Sequence, residues 1–458
     1  NVQNYRPVSL LPSVSKIMER CLADHIYSFI SPRLHNLQHG FMKNRSCTTQ
    51  LLHVYNSIGA ILDRGGQIDV IFLDFTKAFD RVSHACLLYK LEHFYGFTGV
   101  LLDWFKSYLH NRSQCTVTEG ACSEWQTITS GVPQGSIIGP ILFLLFINDM
   151  PDVVFSSTTA LFADDCKVFK KIESVHDCQF LQNDLNELFS WSDKWKMNFN
   201  AAKCKVLRIS RCRMPIDFTY YLDGIPLEIV GNFKDLGVIF DDTLSFKSHI
   251  NSVISKSSRM TGVIKRAVGF NAPLSTKITL FKSLVRPHVE YSSQVWSPHL
   301  KQDIALIENV QRSFTRYICY DPLLSYQERC IMLNILPLSF RREIADLIFC
   351  FKCIHGFLNV DFTPFIRKAT FNVSLRSADN GLLLTETRCQ TELFKAFYFN
   401  RIPHLWNLLP IDVRNCNSLP VFKSKLVSYY FSRLETVFDP FNSCSWTSLC
   451  RCSGFYHH

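Results

Sequence analysis

Leu161-Phe162-Ala163-Asp164-Asp165 is the stretch on which the fold assignment depends. It lies between two short, largely apolar runs that are typical of strands meeting at a tight turn. Adjacent carboxylates at a packed turn repel each other, and a bound divalent cation relieves that repulsion. An isolated Asp-Asp pair is more often a solvated loop, so the metal interpretation needs support from elsewhere in the chain.

That support comes from Asp74, which follows the apolar run at residues 70–73. The run predicts a strand over 69–75 that is buried on both faces, where an unpaired charge would be costly. A third carboxylate beside Asp164 and Asp165 would complete a site for two Mg²⁺ ions, with Mn²⁺ as an alternative. Such a site serves in-line phosphoryl transfer.

Composition narrows the class of protein. The chain has 458 residues, which predicts about three domains. Its 47% hydrophobic and 13% aromatic content is typical of a globular protein, and its net charge of +10 weakly favours a polyanionic partner. The longest apolar run, residues 137–147, is too short to span a bilayer, so no membrane contact is expected.

The 18 cysteines show no regular spacing, and no signal peptide precedes them, so a reducing, intracellular location is expected. Two groups suggest partial zinc sites but lack a full four-ligand spacing: Cys350, Cys353 and His355, and Cys444, Cys450, Cys452 and His457. Since the first residue is Asn1 and not Met, we expect a fragment or a truncated gene model.

Residue periodicity predicts an α+β order of elements. A first helix is expected to present one apolar face, formed by Ile17, Met18, Leu22, Ile26 and Phe29. Further predicted elements are helices over 48–63, from Ser83, and over 101–109, 137–150 and 175–195, hairpins over 112–128 and 221–225, and strands over 203–209 and 233–238. A mixed sheet covered on one side by helices follows from this order.

Two loops carry candidate binding residues. In the loop 130–136, glycine at 131 and 135 lets the backbone approach a ligand, and Gln134 offers a donor and an acceptor. Arg6, Lys43 and Arg45 are candidate phosphate ligands or ordinary surface cations, and their spacing alone favours the second interpretation.

A helix whose charged residues are all positive is predicted over 246–267. It carries five cations and no acid, namely Lys247, Lys256, Arg259, Lys265 and Arg266. This pattern favours binding to a polyanion over ordinary solvation. The remainder, from residue 280 to about 431, is predicted to be mostly helical.

The order of motifs resembles the reverse transcriptases of non-LTR (LINE-type) retrotransposons. The resembling segments are residues 4–10 and 38–41 (fingers motifs), 74–80 (motif A), 130–136 with Gly139-Pro140 (motif B), 162–165 (motif C), the Asn200/Lys203 segment (motif D) and Leu236-Gly237 (the primer-grip motif E). Residues between 285 and 410 also resemble the region that follows the polymerase in these elements.

The resemblance implies a right-hand polymerase that copies RNA into DNA, with an RNA template, a DNA primer and dNTP as partners. It implies partial fingers and a palm with a mixed or antiparallel sheet over 1–242, a helical thumb over 243–320, a helical C-terminal region over 321–440 and a disordered tail over 441–458. The expected location is the nucleus, the cytoplasm or both, as a ribonucleoprotein. The oligomeric state is not implied.

The resemblance also implies residue roles. Asp74, Asp164 and Asp165 are expected to hold the metal ions, with Phe75 beside them, and Lys203 to protonate pyrophosphate. The nucleotide site is expected to include Arg6, Phe75, Phe79, Gln134 and Gly135, with Phe79 as the steric gate against ribonucleotides. Leu236, Gly237 and the basic helix are expected to contact nucleic acid.

Three further features of the family are not expected in this chain: an endonuclease domain, a complete start of the fingers and a convincing zinc knuckle. The alternative function is therefore a catalytically silent remnant that binds nucleic acid. A third, weaker alternative is a maturase similar to those of group II introns.

Overall fold

The structure is a computed structural model that describes residues 8–269, 271–369 and 382–436. The α-helices are α1 Ser13–Ile30, α2 Cys47–Asp63, α3 His84–His93, α4 Gly99–Leu109, α5 Gly139–Ile147, α6 Val175–Lys194, α7 Lys247–Val268, α8 Leu274–Leu280, α9 Arg286–Glu290, α10 Ser293–Trp296, α11 Lys301–Cys319, α12 Tyr326–Met332, α13 Leu338–Ile354, α14 Glu392–Lys395, α15 Tyr398–Asn407, α16 Ile411–Arg414 and α17 Leu419–Thr436. The strands are β1 Gln67–Leu73, β2 Ser113–Gln114, β3 Val117–Thr118, β4 Ala121–Cys122, β5 Gln126–Thr127, β6 Thr158–Phe162, β7 Asp165–Ile172, β8 Lys205–Ser210, β9 Tyr221–Leu222, β10 Ile225–Pro226, β11 Glu228–Ile229, β12 Asn232–Asp235 and β13 Val238–Asp241.

The chain folds into two compact units. The first, the sheet unit, is Asn1–Ser46 with Gly66–Gly231, and the second, the helical unit, is Cys47–Gly65 with Asn232–His458. Helix α2 therefore belongs to the helical unit although it precedes the first strand of the sheet. The predicted functional boundaries at residues 242, 320 and 440 stay predictions, and the predicted tail lies outside the described residues.

The main sheet of the first unit has five strands in the order β11-β8-β1-β7-β6. Strand β1 pairs antiparallel with β7 and β8, β6 pairs antiparallel with β7, and only β11 runs parallel to its neighbour β8. All seven residues of β1 are buried, as the continuous apolar run predicted. The predicted α+β class with a mixed sheet is confirmed.

Helix α5 packs into the core of this unit, and all but one of its nine residues are buried. Its N-terminus is held by Glu19 of α1, whose carboxylate accepts hydrogen bonds from the amides of Ile137 (2.7 Å) and Ile138 (3.2 Å). A buried carboxylate at this end satisfies amides that the helix itself leaves unbonded.

The predicted apolar face of α1 is partly wrong. The buried positions are Glu19, Ala23, Ile26 and Ile30, whereas Ile17, Met18 and Phe29 are exposed. Glu19 faces the core because its carboxylate caps α5. Part of the predicted apolar face of α1 therefore points towards solvent.

Two predicted strand segments have different outcomes. The hairpin over 112–128 is confirmed, with β2 paired to β5, β3 paired to β4, and a turn at Glu119-Gly120. The single strand predicted over 233–238 is wrong, because β12 and β13 form a hairpin with Leu236-Gly237 as its turn. Both turn residues have positive φ (44° and 89°), which the alternation of the sequence did not reveal.

Buried polar side chains tie the helical unit together. Glu308 of α11 accepts hydrogen bonds from the amides of Leu338 (2.9 Å) and Ser339 (3.1 Å) at the start of α13, and from the hydroxyl of Tyr326. In the part of the chain that the structure describes, no helix is long and apolar enough to cross a membrane.

Candidate active site

Asp74 and the Asp164-Asp165 pair lie at the same end of neighbouring strands. In the β1–β7 ladder, Leu73 is opposite Cys166, so continuing the register by one residue places Asp74 opposite Asp165. Residues that face each other across an antiparallel pair have Cα atoms about 4.5–5.5 Å apart. Asp164 lies in the two-residue turn before Asp165, since Phe162 pairs with Asp165. The fold therefore brings the three predicted carboxylates to one edge.

The backbone of Asp74 is fixed by the segment that precedes β8. The carbonyl of Asp74 accepts a hydrogen bond from the Asn200 amide (2.7 Å), and its own amide donates to the Cys204 thiol (3.4 Å). Burial raises the pKa of that thiol to about 11, so Cys204 stays neutral beside the carboxylate at physiological pH. Both backbone polar groups of Asp74 are therefore bonded to this one segment.

The carboxylate of Asp74 is incompletely satisfied. Its Oδ2 atom is buried and accepts no hydrogen bond, although the side chain as a whole is 40% exposed. The Nζ atom of Lys203 lies 3.5 Å from Oδ2, and this lysine is itself 68% exposed. A desolvated carboxylate oxygen without a hydrogen bond is a suitable ligand for a hard divalent cation, so the donor set fits Mg²⁺ or Mn²⁺.

Within the described ranges, no three or more His, Cys, Asp or Glu side chains lie close enough together to hold a metal ion as they stand. Asp164 is half-buried and Asp165 is exposed, so both carboxylates are accessible from solvent. Carboxylates brought together without a cation repel each other, which favours such an open arrangement. The zinc candidates Cys350, Cys353 and His355 form no such set either, and those at 444–457 lie outside the described residues.

The loop 130–136 is bonded to the turn that follows Asp74. The amide of Val132 donates to the carbonyl of Phe79 (2.8 Å), and the Nε2 of Gln134 donates to Oδ1 of Asp80 (2.8 Å). Gly131 has φ of 91°, and a Cβ there would lie 2.8 Å from the Asp80 carbonyl oxygen. Only glycine therefore allows the two segments to approach this closely.

Gly135 makes a second close approach. Its φ is 111°, and an added Cβ would lie 3.0 Å from the carbonyl oxygen of Ser9. The amide of Ser9 also donates to the Gln134 carbonyl (2.7 Å), so the start of the described chain is bonded to this loop. Arg6, the predicted triphosphate contact, lies outside the described residues.

The two phenylalanines after β1 are placed differently. Phe75 is buried and stacks on Phe199 with 4.5 Å between ring centroids, so only its main chain is available to a metal or nucleotide. Phe79 is half-buried and stacks on Phe143 at 4.3 Å, with Phe41 against it edge-on at 6.0 Å. A ring held on two sides in this way is rigid, as a steric gate requires.

A residue that sequence reasoning missed contacts the carboxylate turn directly. Gln38 is buried, and its Oε1 accepts a hydrogen bond from the amide of Ala163 (2.9 Å), next to Asp164. The glutamine lies in the predicted fingers motif, but nothing in the spacing connects it to a turn more than a hundred residues later. The signal that could have found it is Gly40, because glycine often marks a close backbone approach.

In the helical unit, the Leu236-Gly237 turn is braced by Tyr291. The tyrosine hydroxyl donates to the Leu236 carbonyl (2.9 Å), and a Cβ on Gly237 would lie 3.0 Å from the tyrosine ring. The predicted primer-grip residues thus form a fixed hairpin tip.

The predicted basic helix is α7. Its buried positions, including His249, Val253 and Ile264, form one face. The cations lie off that face: Lys247, Lys256, Arg259 and Arg266 are exposed, and Lys265 is half-buried with its Nζ 4.9 Å from the Tyr317 ring centroid. Burial, with Lys256 and Lys234 nearby, lowers the pKa of His249 to about 4. The exposed side of α7 therefore carries cations and no acid.

Comparison with known proteins agrees with this arrangement. Residues 1–248, more than half of the chain, match the family described as reverse transcriptase (RNA-dependent DNA polymerase). The chain belongs to the reverse transcriptase family, and its predicted membership among the LINE-type enzymes of non-LTR retrotransposons is confirmed.

Two relatives come from Drosophila melanogaster. The chain is 31% identical to a probable RNA-directed DNA polymerase from transposon X-element, over 69% of this chain and 35% of that protein. It is 31% identical to the RNA-directed DNA polymerase from mobile element jockey, over 70% of this chain and 36% of that protein. The chain thus spans about a third of the length of these relatives. Among solved structures, apo telomerase from Candida tropicalis aligns with a TM-score of 0.39 and 10% identity, over 76% of this chain and 60% of that chain.

Proposed function

We propose that the chain is an RNA-directed DNA polymerase that adds dNTP to the 3′-hydroxyl of a DNA primer on an RNA template. The observation that supports it best is the register of β1 and β7, which puts Asp74 opposite Asp165 and beside the Asp164 turn. A site of this composition at one sheet edge is suited to in-line displacement at a phosphorus atom.

Asp74, Asp164 and Asp165 would hold two divalent ions, Mg²⁺ or Mn²⁺, with the main chain of Phe75 beside them. When bound, such ions activate the attacking hydroxyl and neutralise charge on the leaving group. The buried Oδ2 of Asp74 supports this assignment, because its cost of desolvation has already been met in the folded chain.

The neighbouring side chains would position the nucleotide. The rigid ring of Phe79 would lie under the sugar and exclude a 2′-hydroxyl. Gln134 and Gly135 would line the same nucleotide site, and Arg6 would contact the triphosphate. Lys203 carries an exposed ammonium group next to Asp74, and we propose that it donates a proton to the departing pyrophosphate. In this displacement the 3′-oxygen of the primer gives up its proton to solvent and becomes bonded to the α-phosphorus, as the bond between that phosphorus and the pyrophosphate oxygen breaks.

The helical unit would supply affinity for nucleic acid. The exposed cations of α7 neutralise backbone phosphates without reading sequence, and binding through them releases counterions. Leu236 and Gly237, at the tip of a braced hairpin, would contact the primer strand. Both α7 and the Leu236-Gly237 hairpin tip are proposed to contact the RNA or DNA backbone and not the bases.

The experiment is primer extension on an RNA template with the wild type, Asp164→Ala and Asp103→Ala. Asp103 is a suitable control because it is a 70% exposed carboxylate on α4, paired with Lys106. We expect the wild type and Asp103→Ala to extend the primer and Asp164→Ala to be inactive. Full activity of Asp164→Ala would contradict the metal assignment.

The second candidate is a remnant that binds nucleic acid without catalysis. The exposed cations of α7 favour it, because binding through them needs no intact nucleotide site. Salt-dependent RNA affinity together with no dNTP incorporation by the wild type, with either Mg²⁺ or Mn²⁺, would establish this alternative.

A further inference from the structure

The turn that carries Asp164 is enclosed by the segment 37–40. Gln38 forms a parallel bridge with Leu161, in which the His39 amide donates to the Leu161 carbonyl (2.9 Å) and the Leu161 amide donates to the Leu37 carbonyl (3.1 Å). The segment therefore acts as an additional short strand along β6, and it ends beside the turn.

The turn itself has an unfavourable backbone conformation. Ala163, its first residue, has φ of 55°, in the left-handed region that residues with a Cβ rarely adopt. A two-residue hairpin turn of this kind normally has glycine at such a position. Since alanine supplies no side-chain hydrogen bond of its own, other contacts must hold the turn in this conformation.

Gln38 supplies those contacts. Its Oε1 accepts hydrogen bonds from both the Ala163 amide (2.9 Å) and the Gly40 amide (2.7 Å), and its Nε2 lies 3.5 Å from the Ala163 carbonyl oxygen. The side chain is only 2% exposed, so these bonds form away from competing water. One amide side chain thus bonds both polar backbone groups of the left-handed residue.

Gly40 closes the same contact from the other side. A Cβ at Gly40 would lie 2.2 Å from the Ala163 backbone nitrogen, which no side chain could tolerate without moving the turn. Arg45 in turn fixes the segment, since its Nη1 donates to the carbonyls of Asn36 (2.7 Å) and Gln38 (2.6 Å). Arg45, which the sequence left open as a phosphate ligand or an ordinary surface cation, therefore makes local structural contacts.

We propose that Gln38 is a positioning residue for the polymerase reaction: it holds Ala163 in the left-handed conformation and thereby sets where Asp164 and Asp165 present their carboxylates. The inference rests on the proposed function, because the carboxylates matter only if they hold the ions. Gln38 itself touches neither substrate nor metal.

The test is Gln38→Met, which keeps length and burial but removes the acceptor. The matched control is Gln50→Met on α2, since Gln50 is equally buried (1% exposed) and its side-chain atoms have no hydrogen-bond partner. We expect Gln38→Met to lower kcat by roughly ten- to a hundredfold and to raise the Mg²⁺ concentration for half-maximal activity severalfold, because catalytic groups displaced by about 1 Å lose rate on this scale. KM for dNTP is expected to change little, and Gln50→Met to match the wild type.

Adding Ala163→Gly provides a rescue. Glycine adopts positive φ without strain, so the Gln38→Met/Ala163→Gly variant should recover part of kcat and of the Mg²⁺ response. If Gln38→Met does not fold, Gln38→Asn carries the same test, because its shorter side chain cannot bond both amides. A loss of active protein with an unchanged Mg²⁺ midpoint would assign Gln38 a purely structural role and overturn the proposal.

Hydrogen exchange at the Ala163 amide separates this proposal from the proposed function, because it needs no activity. Protection in the hairpin should fall by about tenfold or more in Gln38→Met and stay unchanged in Gln50→Met. Unchanged protection overturns the positioning role even if the wild type polymerises. A wild type that does not polymerise, with the loss of protection observed, contradicts the proposed function and the positioning role in catalysis, and leaves the backbone contact itself established.

Discussion

Two carboxylates at opposite ends of one strand are treated differently by the fold. Asp69, near the start of β1, is fully buried, and its oxygens contact the Tyr220 hydroxyl (2.9 Å), the Gln67 amide (3.1 Å) and the Arg208 guanidinium (3.5 Å). Asp74, just after β1, keeps a buried Oδ2 without a hydrogen bond. The Asp69 carboxylate is thus bonded by buried groups of its own chain, whereas the nearest partner of the Asp74 carboxylate is the exposed ammonium group of Lys203 at 3.5 Å, which leaves Asp74 available to a ligand.

The largest expected effect is a loss of activity on substitution of Asp74, which distinguishes this position from Asp69. Asp74→Asn removes a charge that would hold the metal ions, which are worth several kcal/mol of transition-state stabilisation, so primer extension should fall about a thousandfold or more. The free energy of unfolding of Asp74→Asn should differ little from that of the wild type. The measurement is kcat for primer extension beside thermal or denaturant unfolding.

The same substitution at the other end should have the opposite result. Asp69→Asn weakens buried contacts to Tyr220 and Arg208, so the unfolding free energy should drop by about 1–3 kcal/mol. Activity per folded molecule should be nearly unchanged. The distinction fails if Asp69→Asn abolishes activity in folded protein, or if Asp74→Asn is active.

A pH dependence extends the comparison to a carboxylate in the helical unit. Burial raises the pKa of Glu343 to about 7, although the Tyr430 hydroxyl donates a hydrogen bond to it (2.9 Å). The folded state therefore binds this proton more tightly than the unfolded state. Its contribution to stability is present below pH 4.5 and is lost as pH rises towards and through about 7, by a few kcal/mol at most.

The measurement is urea unfolding across this pH range for the wild type and Glu343→Gln. The variant should lack this pH-dependent loss. Between acidic pH and pH 7 its free energy of unfolding should therefore fall less than that of the wild type. Parallel pH profiles for the two proteins would show that Glu343 does not titrate in this window.

The phenylalanines after β1 provide a smaller contrast of the same kind. Phe79→Val shortens the half-buried ring at the proposed sugar position, so use of ribonucleotides relative to dNTP should rise by about tenfold, equivalent to ~1.4 kcal/mol. Phe75→Leu, in the core, should cost about 1 kcal/mol of stability and leave selectivity unchanged. Steady-state incorporation of each nucleotide measures the ratio, and equal ratios in wild type and Phe79→Val would remove the steric gate assignment.

The smallest expected effect concerns α7. Replacing Lys256 and Arg259 by glutamine should reduce the slope of log affinity for RNA against log salt by roughly 1.4, or about 0.7 for each cation lost. Lys106→Gln/Lys171→Gln is the control, because both lysines are exposed but paired with carboxylates in the sheet unit. An equal loss of slope in the control would mean that α7 has no special part in binding.

Sequence reasoning succeeded where the residue pattern is local and failed where contacts are distant. The end of an apolar run at Asp74 and the paired carboxylates at 164 and 165 predicted a shared edge, because strand burial and hairpin pairing follow from nearby residues. The wrong face of α1 arose from Glu19, whose partners at residues 137–138 are far away in the chain.

The positive φ of Leu236 and the bonds from Gln38 to Ala163 were likewise invisible to periodicity. Each depends on one backbone conformation or one side-chain contact, not on a repeated pattern. These are the features that only coordinates reveal.

The most direct test of the account is binding of Mn²⁺, followed by electron paramagnetic resonance, to the wild type, Asp74→Asn and Asp69→Asn with a primer, an RNA template and a dNTP. It measures the metal site itself and not the rate of the reaction. We predict that the wild type and folded Asp69→Asn bind Mn²⁺ alike and that Asp74→Asn loses at least one ion. Undiminished binding by Asp74→Asn would contradict the central claim that the open end of β1 is a metal site.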